Sequence, residues 1–168
     1  IPYESKFDID RKSPAYKFQS GKSFFRAFEL PPYDSTYILE VESRFAGDGI
    51  TVTSMWMFYP VLMFLDSQFR PLQTVRDLPY QFTASWTESR YGMKAEIYIG
   101  KALRHARYIV LYTEKDFISK AYEFRSTGTS GSGRIVTRSK ENTPALPFNY
   151  EGRVGILTRA YDASIANY

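Results

Sequence analysis

Apolar residues in this chain come in short, strongly β-prone runs, and a turn signal ends each run. Val61–Leu65 is an unbroken apolar run that stops at Asp66, and the most β-prone run in the chain, at residues 107–113, has a similar apolar centre at residues 109–111. Unbroken apolar runs of this length indicate strands that are buried on both faces. Residues 35–45 alternate between apolar and polar side chains instead, which indicates a half-buried antiparallel strand.

The aromatic content supports the same fold class. Fourteen Tyr and 13 Phe raise the aromatic share to 17%, and flat rings pack well on pleated sheets. Residues 113–124 form the one helical patch, with Thr113 and Asp116 placed like a weak capping box. The sequence therefore predicts an all-β fold: an antiparallel, jelly-roll-like β-sandwich with one short helix after a core strand.

The chain is long enough for one domain with a sizeable core. We interpret residues 1–22 as an N-terminal arm or edge strand, with a strand at Ala15–Phe18. Residues 23–168 are predicted to form a single β-sandwich domain. Within it, the Gly/Ser-rich residues 126–134 have the composition of a flexible loop.

Several classes of chemistry are disfavoured by the residues present. The chain has no cysteine, so thiol catalysis and disulfides are excluded. With a single histidine, a zinc site would need mostly carboxylate ligands, which is an unusual choice. His105 lies among arginines and is expected in a loop or strand end facing water. Gly21 begins the tail of a phosphate-loop pattern, but Tyr16 stands where that pattern needs a glycine. We therefore predict no metal and no cofactor.

Charge and hydropathy limit the partners. A net charge of +4, from 22 basic and 18 acidic residues that are well mixed, gives no concentrated patch for nucleic acid. No apolar stretch approaches the roughly 18 residues needed to cross a bilayer. Nucleic acid is therefore not an expected partner, and we predict no transmembrane segment.

Asp66 raises a question because a carboxylate beside an apolar run is a candidate acid or metal ligand. The surrounding pattern is that of a tight turn, in which Asp accepts backbone hydrogen bonds and Pro71 restricts φ after the corner. We therefore predict structural turn roles for Asp66 and Pro71 and no catalytic role.

The same stretch, PVLMFLDSQFRP at residues 60–71, resembles the maltose operon periplasmic protein family, where an apolar strand enters a Leu-Asp turn that ends in Pro. YIVLYTEKDF at 108–117 and YEGRVGIL at 150–157 resemble later parts of the family, and FRAFELP at 25–31 resembles an early strand. The resemblance implies a periplasmic protein of the bacterial cell envelope linked to maltodextrin uptake. It also implies association with the outer membrane through an N-terminal region. It supplies no catalytic residues.

Three functions are weighed. The first is a non-catalytic envelope accessory domain that contacts saccharide, because sugar sites need exposed aromatic rings; the candidate rings are Trp86, Tyr91, Trp56 and Tyr59. The alternative is a protein–protein interaction module of an envelope assembly, docking through an aromatic edge strand or the 1–22 arm. The least favoured is a small envelope hydrolase, because no acid–base pair is apparent. We expect no enzyme activity, and a saccharide or another envelope protein as partner.

Overall fold

A computed structural model describes residues 3–47, 55–85, 90–125, 132–137 and 145–162. Within these ranges the chain forms fifteen strands, one α-helix and a 3-10 turn at Lys101–Leu103. The elements are β1 (Tyr3–Ile9), β2 (Ala15–Phe18), β3 (Gly21–Glu29), β4 (Tyr37–Arg44), β5 (Ala46–Gly47), β6 (Met55–Phe58), β7 (Val61–Leu65), β8 (Pro71–Val75), β9 (Gln81–Ser85), β10 (Arg90–Ile99), β11 (Tyr108–Tyr112), α1 (Lys115–Ile118), β12 (Lys120–Arg125), β13 (Ser132–Thr137), β14 (Ala145–Asn149) and β15 (Gly152–Ala160).

The strands form three five-stranded sheets. Sheet 1 has the order β1-β15-β4-β10-β9, sheet 2 the order β2-β3-β11-β7-β8, and sheet 3 the order β13-β12-β14-β6-β5. Among the described strands, all pairings are antiparallel except that of β14 with β6, which is parallel. The predicted all-β fold class with antiparallel sandwich packing is confirmed.

Sheets 1 and 2 enclose the first hydrophobic cluster. The alternation predicted for residues 35–45 is confirmed in β4, where Leu39 and Val41 are fully buried while Glu40 and Glu42 lie on the outer face. The carboxylates of Glu40 and Glu42 pair with Lys94 at 2.7 Å and Arg44 at 2.6 Å. The outer face of sheet 1 thus carries charged side chains in ion pairs, the polar face that an antiparallel sheet commonly has opposite its core face.

The central strands β7 and β11 of sheet 2 are buried on both faces. Leu62 and Phe64 of β7 belong to the first cluster, whereas Val61 belongs to the second cluster, which sheet 3 and α1 help to enclose. β11 divides in the same way, with Ile109 inward to sheet 1 and Tyr112 on the other side. The prediction that the unbroken apolar run forms a strand buried on both faces is confirmed. Such a strand has no solvent-facing side and therefore needs no polar residues. Sheet 3 is the layer that the sequence did not indicate.

The helix is shorter than the pattern predicted. Only Lys115–Ile118 is helical, and the rest of the predicted patch, from Lys120, is strand β12. The capping prediction was also wrong: the N-cap is Glu114, and no side chain caps the helix. Apolar residues spaced three to four positions apart over a single turn are compatible with a helix and also with a turn followed by a strand. The pairing of β12 with its neighbouring strands therefore determines its conformation.

The predicted strand at Ala15–Phe18 is confirmed as β2, at the edge of sheet 2, and β1 lies at the edge of sheet 1. The division into a 1–22 arm and a 23–168 domain stays a prediction. The predicted Gly/Ser-rich loop at 126–134 lies outside the described residues as far as 131, and its last three residues begin β13.

Candidate functional site

Tyr59, one of the four aromatic residues proposed to contact sugar, is a core residue. It is 2% exposed, and its ring stacks on Phe117 with the centroids 4.0 Å apart and meets Phe148 edge-on at 5.1 Å. Burial raises the pKa of its hydroxyl to about 12, with a further contribution from the charge of Asp77. No face of this ring is open to a ligand.

Trp86 and Tyr91 are the second proposed pair. Trp86 is outside the described residues, and Tyr91 belongs to β10, where its backbone pairs opposite Ala84 of β9. A sugar-contacting role for Trp86 and Tyr91 stays a prediction.

Trp56 is half-buried in β6 and lines an open groove of about 230 Å³, here called the Trp56 groove. Asp8, Asp10, Glu151 and Arg153 supply its charged lining. The indole Nε1–H of Trp56 is buried and has no acceptor among the described residues. An unpaired buried donor costs free energy, so this ring is held by its packing rather than by a hydrogen bond.

A larger cavity, here called the Glu151 cleft, adjoins the Trp56 groove and shares Glu151 with it. It measures about 430 Å³ and lies between the start of β3 and the turn that joins β14 to β15. The half-buried rings of Phe24 and Tyr150 line it together with the side chains of Asn149 and Lys22. Neither Phe24 nor Tyr150 was predicted as a site residue.

Gly152 allows the turn between β14 and β15 to lie close to β6. A Cβ on Gly152 would lie 2.7 Å from Cβ and 2.9 Å from the backbone nitrogen of Phe58, so only glycine lets β15 begin so close to β6. The parallel pairing of Asn149 with Phe58 fixes the preceding strand on the same side. The turn at 150–151 is therefore held beside the strand that carries Trp56.

The turn after β1 supplies the remaining side of the cleft. Asp10 Oδ1 accepts hydrogen bonds from the backbone of Lys12 at 2.9 Å and of Ser13 at 3.1 Å, and these bonds, that of Lys12 first, lower the pKa of Asp10. The ordered turn presents Arg11, whose Nε donates to Glu151 Oε1 at 3.1 Å. The side chain of Arg11 is 88% exposed, so this pair is open to solvent and to ligands.

Asp66 makes its contacts within its own turn. Its Oδ1 accepts hydrogen bonds from the backbone N–H groups of Gln68 at 2.8 Å and Arg70 at 2.9 Å, and its Oδ2 accepts from Arg70 Nε at 2.7 Å. These bonds, led by that from the Arg70 backbone, lower the pKa of Asp66. Pro71 begins β8 directly after the turn. Both residues thus lie where the turn hypothesis put them, and that hypothesis remains our interpretation of their role.

His105 is exposed, as predicted, in the turn that follows Lys101–Leu103, and its Nε2 accepts a hydrogen bond from Arg104 Nε at 3.0 Å. It does not line the Glu151 cleft or the Trp56 groove. Within the described ranges, no group of three or more histidine and acidic residues is placed to hold a metal ion. None of the helices in those ranges has the length and hydrophobicity to cross a bilayer.

Comparison with known proteins decides the family. The family model described as maltose operon periplasmic protein precursor matches residues 20–126, more than half of the 168-residue chain. The chain belongs to this family. Neither the curated proteins nor the solved structures contain a significant match. Membership supports a periplasmic location, and it confirms the resemblance drawn from the sequence.

The family match divides the candidate site of this maltose operon family protein. Phe24 and Trp56 lie inside the matched segment, whereas Arg11, Tyr150 and Glu151 lie outside it. Three of the eight residues that line the Glu151 cleft therefore lie inside the matched segment, and the other five lie before or after it.

The residues missed by sequence reasoning left one local signal. The run FNYEG at residues 148–152 places an amide, a phenol and a carboxylate directly before a glycine, at the start of a strand. Such a concentration of polar groups at a loop is typical of binding sites. Phe24 and Arg11 had no comparable sequence signal, because only the tertiary fold brings these residues to that turn.

Proposed function

We propose that this protein is a non-catalytic periplasmic accessory protein that binds a saccharide across the Glu151 cleft and the Trp56 groove. The observation that carries the proposal is the lining of the larger cavity, where two half-buried rings adjoin an amide, a carboxylate and two cations. Ring faces pack against the C–H surface of a sugar, and such polar groups hydrogen-bond its hydroxyls.

The size of the site favours a short oligosaccharide. The Glu151 cleft of about 430 Å³ falls within the roughly 300–1,000 Å³ of ordinary small-molecule sites. The Trp56 groove extends it, since Glu151 lines both cavities. The family name connects the protein with a maltose operon, and we take maltodextrins as the first ligands to test, with a role in their transport and an outer-membrane association as part of the same proposal.

The carboxylates of the site favour binding over hydrolysis. A glycosidase needs one carboxylic acid with a raised pKa opposite a second, ionised carboxylate. In the Trp56 groove, turn hydrogen bonds lower the pKa of Asp10, and Asp8 lies 3.5 Å from Arg153. Glu151 is paired with Arg11. Asp10 is therefore suited to accepting hydrogen bonds from hydroxyls rather than to donating a proton, and the other two carboxylates are held in ion pairs.

The test is a fluorescence titration in a Trp86→Phe background, which leaves Trp56 as the only indole. We expect saturable quenching by linear maltooligosaccharides, with the chain lengths of the sugars unchanged after prolonged incubation. Tyr150→Ala and Glu151→Gln should each weaken binding by about tenfold, which corresponds to roughly 1.4 kcal/mol.

Two matched controls accompany these variants. Tyr98→Ala removes a ring that is 58% exposed on the outer face of sheet 1, and Glu29→Gln breaks an exposed carboxylate–arginine pair at 2.6 Å. Neither residue lines the two cavities, so both variants should bind as the wild type does. Absence of quenching by maltooligosaccharides and by cell-wall fragments, or equal losses in the controls, would remove the saccharide proposal. Shortened sugars would point to a hydrolase.

A further inference from the structure

The turn between β7 and β8 holds an aromatic residue in a backbone conformation that favours glycine. Phe69 has φ of 60°, in the left-handed region, and is 65% exposed. For a residue with a Cβ this conformation costs roughly 1–2 kcal/mol, and an exposed ring recovers little of it by burial. Backbone strain at an exposed aromatic residue indicates a functional role, because glycine would adopt this conformation at lower cost.

Two exposed apolar residues near this turn, Phe69 and Leu72, and the half-buried Tyr108 on which Phe69 stacks are here called the ledge. The rings of Phe69 and Tyr108 stack with their centroids 4.6 Å apart and their planes 20° apart, and Leu72 is 45% exposed. Contiguous exposed apolar side chains are typical of protein-binding surfaces.

The ledge adjoins an open edge of sheet 2. β8 has a single neighbour, β7, so the backbone N–H and C=O groups on its far side have no strand partner among the described residues. Pro71, Leu72 and Gln73 are all exposed. A row of unpaired backbone N–H and C=O groups can pair with an added polypeptide strand. A saccharide has no backbone ladder with which to pair in this way.

An arginine flanks each end of β8. Arg70 Nε donates to Asp66 at 2.7 Å and Arg76 Nε to Glu114 at 3.0 Å, and the two carboxylate side chains are only 11% and 7% exposed. The arginine side chains are themselves 71% and 46% exposed, and their terminal N–H groups have no partner among the described residues. The carboxylates therefore fix the two guanidinium groups while leaving donors free for another acid.

We propose that the β8 edge and the ledge bind an extended segment of a partner protein, in which acidic residues flank an apolar centre. The two acids would lie about 20 Å apart, since Arg70 and Arg76 are six positions apart and a strand rises about 3.3 Å per residue. A second copy of this chain is disfavoured, because antiparallel pairing of β8 with itself places Arg70 opposite Arg76. This inference does not depend on the saccharide proposal.

The experiment uses the full chain and two synthetic peptides with the same alternating Val-Thr centre, one flanked by Asp and the other by Lys. Isothermal titration is expected to show that the Asp-flanked peptide binds at least about tenfold more tightly than the Lys-flanked one. Phe69→Gly should abolish this binding while preserving the thermal midpoint, because glycine tolerates the left-handed conformation. Tyr16→Ser removes a 61% exposed ring on the β2 edge and should change nothing.

Four results would overturn the inference. Equal binding of the two peptides, or binding by neither at millimolar concentration, would remove the role of the arginines. Unchanged binding by Phe69→Gly would remove the ledge. Self-association of the wild type that Phe69→Gly abolishes, measured by sedimentation, would show that the occupant is a second copy.

Discussion

Gly152→Ala should destabilise the protein severely, although it adds one methyl group. The new Cβ would stand 2.7 Å from Phe58 Cβ and 2.9 Å from its nitrogen, whereas carbon atoms ordinarily approach to about 3.5–4.0 Å. Phe58 is fully buried, and its carbonyl oxygen accepts a hydrogen bond from Ser43 Oγ, so its backbone has little freedom to retreat. The overlap of about 0.8 Å must therefore be absorbed by the packed strands.

Overpacking of a core costs roughly 1–3 kcal/mol, and a clash with backbone belongs at the upper end of that range. For a domain of this size, about 3 kcal/mol lowers the thermal midpoint by roughly 6–12 °C. The measurement is thermal unfolding followed by circular dichroism, repeated with urea at constant temperature. Thermal unfolding and urea unfolding should rank the variants in the same order of stability.

The matched control is Gly155→Ala, in the same strand. There the added Cβ would lie 3.5 Å from Glu42 Oε2 and no nearer to any other atom, which is an ordinary contact. Gly100→Ala is a second control, because no atom lies within 4 Å of its added Cβ. If Gly152→Ala melts within about 2 °C of these controls, β15 has room to shift, and the reasoning about close approach is wrong.

Three further outcomes are expected. The free energy of unfolding should fall as the pH is lowered below about 3.8, because the pKa of Asp66 is depressed in the folded state and its hydrogen bonds are lost as the pH falls through that folded pKa. Urea titrations of Asp66→Asn should show a weaker dependence of the free energy of unfolding on pH. Glu114→Gln should cost about 1.5–3 kcal/mol in urea unfolding, because it weakens a charged hydrogen bond from Arg76. In alkali, Tyr37 and Tyr59 should ionise near pH 12 by ultraviolet absorbance; their contribution to stability is complete below pH 10 and disappears as the pH rises through 12.

The core strands could be predicted because their signal is local. Val61–Leu65 and residues 109–111 have no polar side chain to expose, and both lie in central strands of sheet 2 that are covered on two faces. The turn after β7 was equally readable, since Asp66 and Pro71 have strong intrinsic turn preferences. In these places the sequence and the tertiary contacts require the same conformation.

The third sheet and the cleft could not be predicted in this way. β12 follows a single helical turn, and its apolar residues have a spacing that also suits a helix, so the pairing with β13 and β14 decides its conformation. Arg11, Phe24 and Tyr150 meet only because β15 returns to the start of the chain. No single-sequence pattern records which distant residues a fold will bring together.

The position of β15 has a consequence for how the protein is made. This last strand sits between β1 and β4, joined to Ile9 and to Val41 by full ladders, so the first strand has no neighbour in its sheet until residue 160 is available. During synthesis in chain order, β1 and one edge of β4 therefore stay without their strand partner until β15 has been made, whereas β4 can already pair with β10.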